Sequence, residues 1–204
     1  VSAPGDPQEA VIRTQEAFYL SCKYRTPAII LGDKHLAESN YTFDQLKKSQ
    51  LAFRQKPVFR ANSYEHRLDG HTTEDPQWIV KMNNRRLAKI KLISAETKKL
   101  KPVSIFGQGK KLIVGWGSTK GAIVDALPLL KDFKFLQISY LSPFPKEAVL
   151  RELKKAKKII LVENNAFGLL GDVIAEQTGF IIKNKVLKYD ARPFTPEYLT
   201  LNVP

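Results

Sequence analysis

The residues best placed to do chemistry lie in the stretch KKLIVGWGSTKGAIVD, Lys110 to Asp125. Here Gly115, Gly117, Ser118 and Thr119 separate a short apolar run from a helical pattern. Backbone amides at such a turn could receive an anionic group, so these four are weak candidates for cofactor binding. The spacing fits no known phosphate loop. A Walker loop needs its second glycine five positions after the first, where this chain has Lys120. A dinucleotide fingerprint needs its third glycine three after the second, whereas Gly121 is four after Gly117, and Trp116 sits between the first two. The next strand, Phe135 to Tyr140, has no carboxylate at its end to hold a ribose hydroxyl. A structural βα turn packed against a neighbouring domain or subunit is therefore preferred.

Other reactive side chains are each set beside a plainer role. Asp33 follows an apolar run at the point where a strand would end, so it could border a ligand cavity or cap a turn. His66, His71, Glu65 and Asp69 match no helical zinc spacing, and hydrogen-bonded linker residues are expected, with no metal site. Glu163, Asn164 and Asn165 close another apolar run, where asparagine usually satisfies turn amides. Ser118 has no histidine partner at a readable spacing, so no nucleophile elbow is expected. Cys22, the single cysteine, allows no internal disulfide and cannot alone hold zinc or an iron–sulfur cluster. Its place in a helical stretch predicts a core thiol.

The elements that must position these residues alternate regularly after Pro102. Leu112 to Val114 read as a strand buried on both faces of a parallel sheet. Ser118 or Thr119 then caps a helix with Ile123, Ala126, Leu127 and Leu130 at helical spacing. Strands over 112–115, 135–140 and 159–163 and helices over 120–131, 145–156 and 168–178 predict an α/β domain, a parallel doubly wound sheet, across 102–204.

Upstream, Asp6, Pro7 and Glu9 start a helix whose face is Ala10, Val11, Thr14, Ala17, Phe18 and Ser21. A strand begins at Pro27 and runs through Ala28 to Leu31, closing at Gly32 and Asp33. One helix and one strand cannot bury themselves, so residues 1–50 read as the C-terminal remnant of a larger domain, and the chain is expected to start mid-domain. From Lys34 to His71, including Pro57, the chain is polar and aperiodic. Asp75 and Pro76 then start a helix carrying Trp78, Ile79, Met82, Ile90 and Ile93, running to about Leu100. Residues 51–101 are a connector with a helix.

The 204 residues are 43% hydrophobic and 26% charged, ordinary for a globular protein. No apolar run approaches the roughly 20 residues of a membrane span and no signal-peptide pattern opens the chain, so a cytoplasmic setting is expected. The net charge of +13 invites a nucleic-acid reading. Yet 24 of the 33 basic residues are lysine, gathered around 98–101, 154–158 and 183–188 without interleaved aromatics to stack bases. A solvated lysine surface, or one facing an acidic partner, accounts for them.

Six stretches, TPAIILGD, EHRLDGHTTEDP, VGWGSTKGAI, LSPFP, LVENN and YDARPFTPE, occur in an order that resembles the C-terminal part of the alpha subunit of 2-oxoacid:ferredoxin oxidoreductases, most like the 2-oxoglutarate type. Two departures stand out: the family usually shows Gly-Gln where this chain has Gly168 and Leu169, and a glycine where Ala191 stands. The resemblance implies a transketolase C-terminal-like domain preceded by the end of a thiamine-pyrimidine-binding α/β domain. It also implies a thiamine diphosphate enzyme with Mg2+ and [4Fe-4S] clusters that oxidatively decarboxylates a 2-oxoacid to its acyl-CoA with ferredoxin as electron acceptor. In that family the glutamate that activates the cofactor precedes this segment, and the diphosphate and Mg2+ are held by the beta subunit. The implied partners are the remaining alpha-subunit segment, the beta subunit, ferredoxin and coenzyme A, with no membrane or nucleic acid. The isolated chain is expected to bind no cofactor, to be inactive and to serve packing and assembly, with Asp33 bordering the coenzyme A or substrate cavity. A stand-alone nucleotide or nucleic-acid binding α/β module is the alternative, and a ligand-free assembly domain is a third class.

Overall fold

The computed structural model describes residues 1–52 and 62–204; Pro57 of the expected connector lies outside them. Its centre is a five-stranded sheet of β3 (Val103–Gly107), β4 (Lys111–Gly115), β5 (Phe133–Ile138), β6 (Lys158–Glu163) and β7 (Asn184–Leu187), in the order β3-β5-β4-β6-β7. The last four are mutually parallel, as the uninterrupted apolar runs predict. Strand β3 was not anticipated. It pairs antiparallel with β5, Val103 opposite Ile138, so Pro102 and Gly107 bracket a strand where the sequence suggests breaks. An edge strand covered on one side only carries a weaker apolar signal than β4 does.

Helices cover both faces, as a doubly wound sheet requires. Alternate residues of each strand point to opposite sides. Ile113, Phe135, Ile160 and Val162 pack with Ile123 and Ala126 of α4 (Thr119–Ala126) and Leu199 of α7 (Pro196–Asn202). On the other face Leu112, Val114, Leu136 and Leu161 meet Val149 and Leu153 of α5 (Lys146–Lys155) and Leu170 and Ile174 of α6 (Leu169–Thr178). Each such side chain contributes roughly 1.5–3 kcal/mol on burial, and together they fix which edge of the sheet is left for function.

The first helix, α1 (Pro7–Tyr24), starts as its sequence predicts, with the Asp6 carboxylate accepting from the Glu9 amide at 2.7 Å. Its buried face differs from the expected one. Arg13, Glu16 and Leu20 are buried, whereas Phe18 is exposed and the apolar stripe faces a shallow groove against Ala28 and Ile30. Two charges can lie inward because they satisfy each other: Arg13 donates to Glu16 at 2.5 Å, and Tyr140 donates to the same carboxylate at 2.9 Å. Arg13 also reaches the Leu100 and Lys101 carbonyls, fastening the helix to the end of the connector. Cys22 on this helix is half-buried rather than a core thiol.

The strand expected at Pro27 to Leu31 forms one isolated bridge, Ile30 to Ser2, in parallel sense. Ser2 bridges Tyr140 on its other side, so the start of the chain is stitched to the end of β5. The short α2 (Lys34–Glu38) follows, and the connector holds a hairpin of β1 (Glu65–His66) and β2 (Thr72–Thr73) and the long α3 (Pro76–Thr97). Asp75 caps α3 by accepting from the Gln77 and Trp78 amides. Among its described residues only Thr97 is buried. No helix among the described residues is long and apolar enough to cross a membrane.

Candidate functional site at the carboxyl edge of the sheet

Open α/β sheets receive ligands where strands end and helices begin. At the end of β4 the backbone turns through Trp116, Gly117 and Ser118 into α4. Gly117 has φ +59, a left-handed conformation that favours glycine. Gly115 is needed for a different reason: a Cβ there would meet Thr119 Oγ1 at 3.0 Å and the Val162 carbonyl oxygen at 3.2 Å. Crowding therefore belongs to Gly115, and backbone conformation to Gly117.

Neither hydroxyl caps α4 in the expected way. Thr119 donates to the Trp116 carbonyl at 2.7 Å, and Ser118 donates to Asp33 Oδ2 at 2.5 Å. The two candidates picked from separate parts of the sequence are thus brought into contact. Asp33 also accepts from the Leu36 amide at 2.9 Å, so it caps α2 and grips the glycine turn at once. The place a phosphate would take beside the turn has a carboxylate next to it. Lys120, in the first turn of α4, is also engaged, by Asp6 and Glu9. Burial works against its charge, but the two carboxylates outweigh this and hold the ammonium above the ordinary lysine range.

The next strand end is organised by Glu163. Only 1% exposed, it accepts from Trp116 Nε1 at 2.9 Å and from the Leu170 amide at the start of α6. It thereby locks the β4 and β6 turns together and places negative charge at a helix N-terminus, where the dipole favours it. Asn165 accepts from the Phe167 and Gly168 amides, the turn-satisfying role its position predicts. His66 and His71 lie on the hairpin, away from this edge. Glu65 pairs with Arg86 there, and Asp69 accepts from the His71 amide at 3.0 Å.

Beside the Asp33–Ser118 contact opens a cavity of about 580 Å³ whose lining includes Asp33, His35, Asn164, Lys188, Tyr189 and Arg192. The last three come from the loop after β7, which sequence reasoning did not single out as a site. One local signal was present: Ala191 has φ +62, a conformation that suits the glycine the resemblance leads one to expect. Asp190 holds Lys188 and Arg192 in place, and the Lys188 ammonium beside it draws the carboxyl below the usual aspartate range. The cavity lining so carries charges of both signs. Each of the three lysine runs has a member paired with a carboxylate: Lys98 with Glu147, Lys155 with Glu152 and Lys185 with Asp172.

No family model matches this chain. Individual proteins do match, and they define a class: subunits of oxidoreductases acting on 2-oxoacids. The chain is 32% identical, over 98% of its own length, to the 2-oxoacid:ferredoxin oxidoreductase 1 alpha subunit of Sulfurisphaera tokodaii, and 30% identical, over 95%, to the alpha subunit of Saccharolobus solfataricus. The 2-oxoglutarate synthase subunit KorA of Archaeoglobus fulgidus is 26% identical over 86% of the chain. The curated homologues are thus 2-oxoacid:ferredoxin oxidoreductase alpha subunits, as the six sequence stretches suggest. The chain spans only 37% and 36% of the length of the first two, and 51% of the third. In fold it is similar, with a TM-score of 0.76 and 22% identity over 99% of its length, to 41% of a chain of the 2-oxoglutarate:ferredoxin oxidoreductase of Magnetococcus marinus, solved with 2-oxoglutarate, coenzyme A and succinyl-CoA bound.

Proposed function

We propose that this chain is the C-terminal portion of the alpha subunit of a thiamine diphosphate-dependent 2-oxoacid:ferredoxin oxidoreductase, and that its own work is mainly packing and subunit assembly. The observation that carries the reading is the similarity to such alpha subunits along 98% of the chain. In this reading residues 1–50 end a pyrimidine-binding-type domain, 51–101 connect, and 102–204 form the transketolase C-terminal-like domain. Asp33 borders the cavity of the oxoacid or coenzyme A and is the positioning group that holds the Gly115, Gly117, Ser118 and Thr119 turn, whose four residues are the weak cofactor-binding candidates.

The residues present do not fit the metal ion or the iron–sulfur clusters the family implies. Among the described residues no three His, Cys, Asp or Glu side chains are grouped to hold a metal ion, and Cys22 alone cannot ligate a [4Fe-4S] cluster. In this reading thiamine diphosphate, Mg2+ and the clusters are held by the remaining alpha-subunit segment and the beta subunit, which are the proposed partners with ferredoxin as electron acceptor. The test is reconstitution. Purified alone, the chain should give no heat with thiamine diphosphate in calorimetry and no 2-oxoacid-dependent reduction of ferredoxin; mixed with the remaining alpha segment and beta subunit it should restore that reduction. Micromolar thiamine diphosphate binding by the chain alone would overturn the assignment.

A further inference from the structure

The order of the sheet gathers lysines that are scattered in the sequence. Strands β4 to β7 run parallel, so their first residues share one edge, opposite the edge that carries Glu163 and the glycine turn. Each strand is entered through lysine: Lys110 and Lys111 at β4, Lys131 shortly before β5, Lys157 and Lys158 at β6, and Lys183 immediately before β7. The backbone holds these entries side by side. The Lys157 amide donates to the Lys110 carbonyl at 2.8 Å, Lys111 stands opposite Lys158, and the Lys111 amide donates to the Asp132 carbonyl at 2.9 Å. Adjacent strands lie about 4.8 Å apart, so the four entries fit within roughly 15 Å. Lysines entering neighbouring strands thus act within about one Debye length, about 8 Å at physiological salt, and their fields add.

Carboxylates do not balance this edge. Glu152 takes Lys134 and Lys155, and Asp132 accepts from the Lys110 amide at 3.0 Å. Lys110, Lys131, Lys157 and Lys183 are exposed, and among the described residues no carboxylate forms an ion pair with them. Helix dipoles explain only Lys154 and Lys155, which sit in the last turn of α5, since the four unpaired lysines lie outside helices. The opposite edge is different: Asp6 and Glu9 answer Lys120 there, and Asp190 answers Lys188 and Arg192.

We propose that the lysine-lined amino edge of the sheet is a docking surface for the acidic face of a partner protein. Charge complementarity selects that occupant, and ammonium groups, being point charges, accept carboxylates in many orientations. A nucleic acid is the poorer one. Arg151, the one arginine of α5, is turned to Glu152, and Phe133 and Phe180 pack into the two cores, so they supply neither a guanidinium fork nor a stacking platform. A second copy of this chain is disfavoured because two molecules of net charge +13 repel. The inference does not depend on the alpha-subunit reading.

The test uses the 204-residue chain and a fluorescent poly-L-glutamate peptide as the acidic probe, followed by anisotropy at low and at physiological salt. The parent should bind, with affinity falling as salt rises. Lys110→Gln, Lys131→Gln, Lys157→Gln and Lys183→Gln combined should weaken binding by about tenfold or more. Lys47→Gln, Lys48→Gln, Lys81→Gln and Lys91→Gln combined remove the same charge from exposed sites elsewhere and should weaken it by less than about twofold. Acylation footprinting of the unaltered chain, read by mass spectrometry, gives a measurement free of any effect on folding: the probe should protect the first four lysines and leave the second four reactive. Equal weakening by both variants, or a footprint spread evenly over all eight lysines, would overturn the edge in favour of net charge alone. No binding by the parent at low salt would overturn the docking surface outright. Duplex DNA bound more tightly than the peptide, and lost in the edge variant, would overturn the choice of occupant.

Discussion

Substituting Glu16 by alanine removes the carboxylate paired with the buried Arg13 guanidinium, and its cost can be worked from the contacts. Arg13 and Glu16 are each only 5% exposed. Breaking a buried ion pair by deleting one partner costs about 3–5 kcal/mol, because the surviving charge is left uncompensated. Arg13 keeps the Leu100 carbonyl at 2.9 Å and the Lys101 carbonyl at 3.2 Å, which places the loss near the lower end, about 3 kcal/mol. Tyr140 also loses its acceptor. For a chain of this length each kcal/mol shifts the melting temperature by about 2–4 °C, so Glu16→Ala should melt about 6–12 °C below the parent in calorimetry. Replacing both charges, Arg13→Met with Glu16→Leu, should cost less than the single change, since no orphan charge remains. The exposed pair Lys34–Glu38 is the control, and Lys34→Ala should shift melting by no more than about 2 °C. If Glu16→Ala also melts within about 2 °C of the parent, the cluster is not the fastening described.

The glycine turn separates two mechanisms. Gly117→Ala introduces strain at φ +59 without a close neighbour and should cost about 1 kcal/mol, while Gly115→Ala forces a Cβ against Thr119 and the Val162 carbonyl and should cost more. Equal urea midpoints for the two variants would contradict that assignment. At alkaline pH, Tyr140 should reveal itself. Burial first, and then the Glu16 carboxylate, push its hydroxyl well above the ordinary tyrosine range. The unfolded phenol releases its proton near about pH 10 while the folded one retains it, so this contribution to stability is complete below pH 10 and falls as pH rises beyond it. Urea titrations at pH 8 and pH 11 should therefore show the gap between the parent and Tyr140→Phe narrowing, and a constant gap would refute the coupling.

Much of the fold was legible because burial on two faces leaves a strong mark. The runs Leu112 to Val114 and Ile159 to Val162 could only be interior strands, and the observed β4 and β6 contain them. Strand β3 escaped because an edge strand needs one good face, and Val103, Ser104 and Ile105 between a proline and a glycine do not distinguish that from a loop. The inward face of α1 was misassigned for a related reason. Sequence periodicity ranks Arg13 and Glu16 as outward, and only their mutual pairing under Tyr140 reverses this. At the site, Asp33 and Ser118 were each noticed, yet nothing local says that residues 85 apart share a hydrogen bond. Lys188, Tyr189 and Arg192 were missed as cavity residues because their neighbours, Asp33 and His35, lie at the other end of the chain.

The ties between the first helix and the sheet span very long stretches of chain. Lys120 to Asp6 closes 114 residues, and Tyr140 to Glu16 closes 124. Loop closure over such distances must be paid in entropy before the contacts repay it, which slows folding. During synthesis at about 5–20 residues per second, α1 leaves the ribosome many seconds before Tyr140 exists to receive it. Throughout that interval Arg13 and Glu16 are without their native partners on the sheet side. A chaperone acting on this chain would accordingly be expected to bind α1 and to release it once β5 is complete.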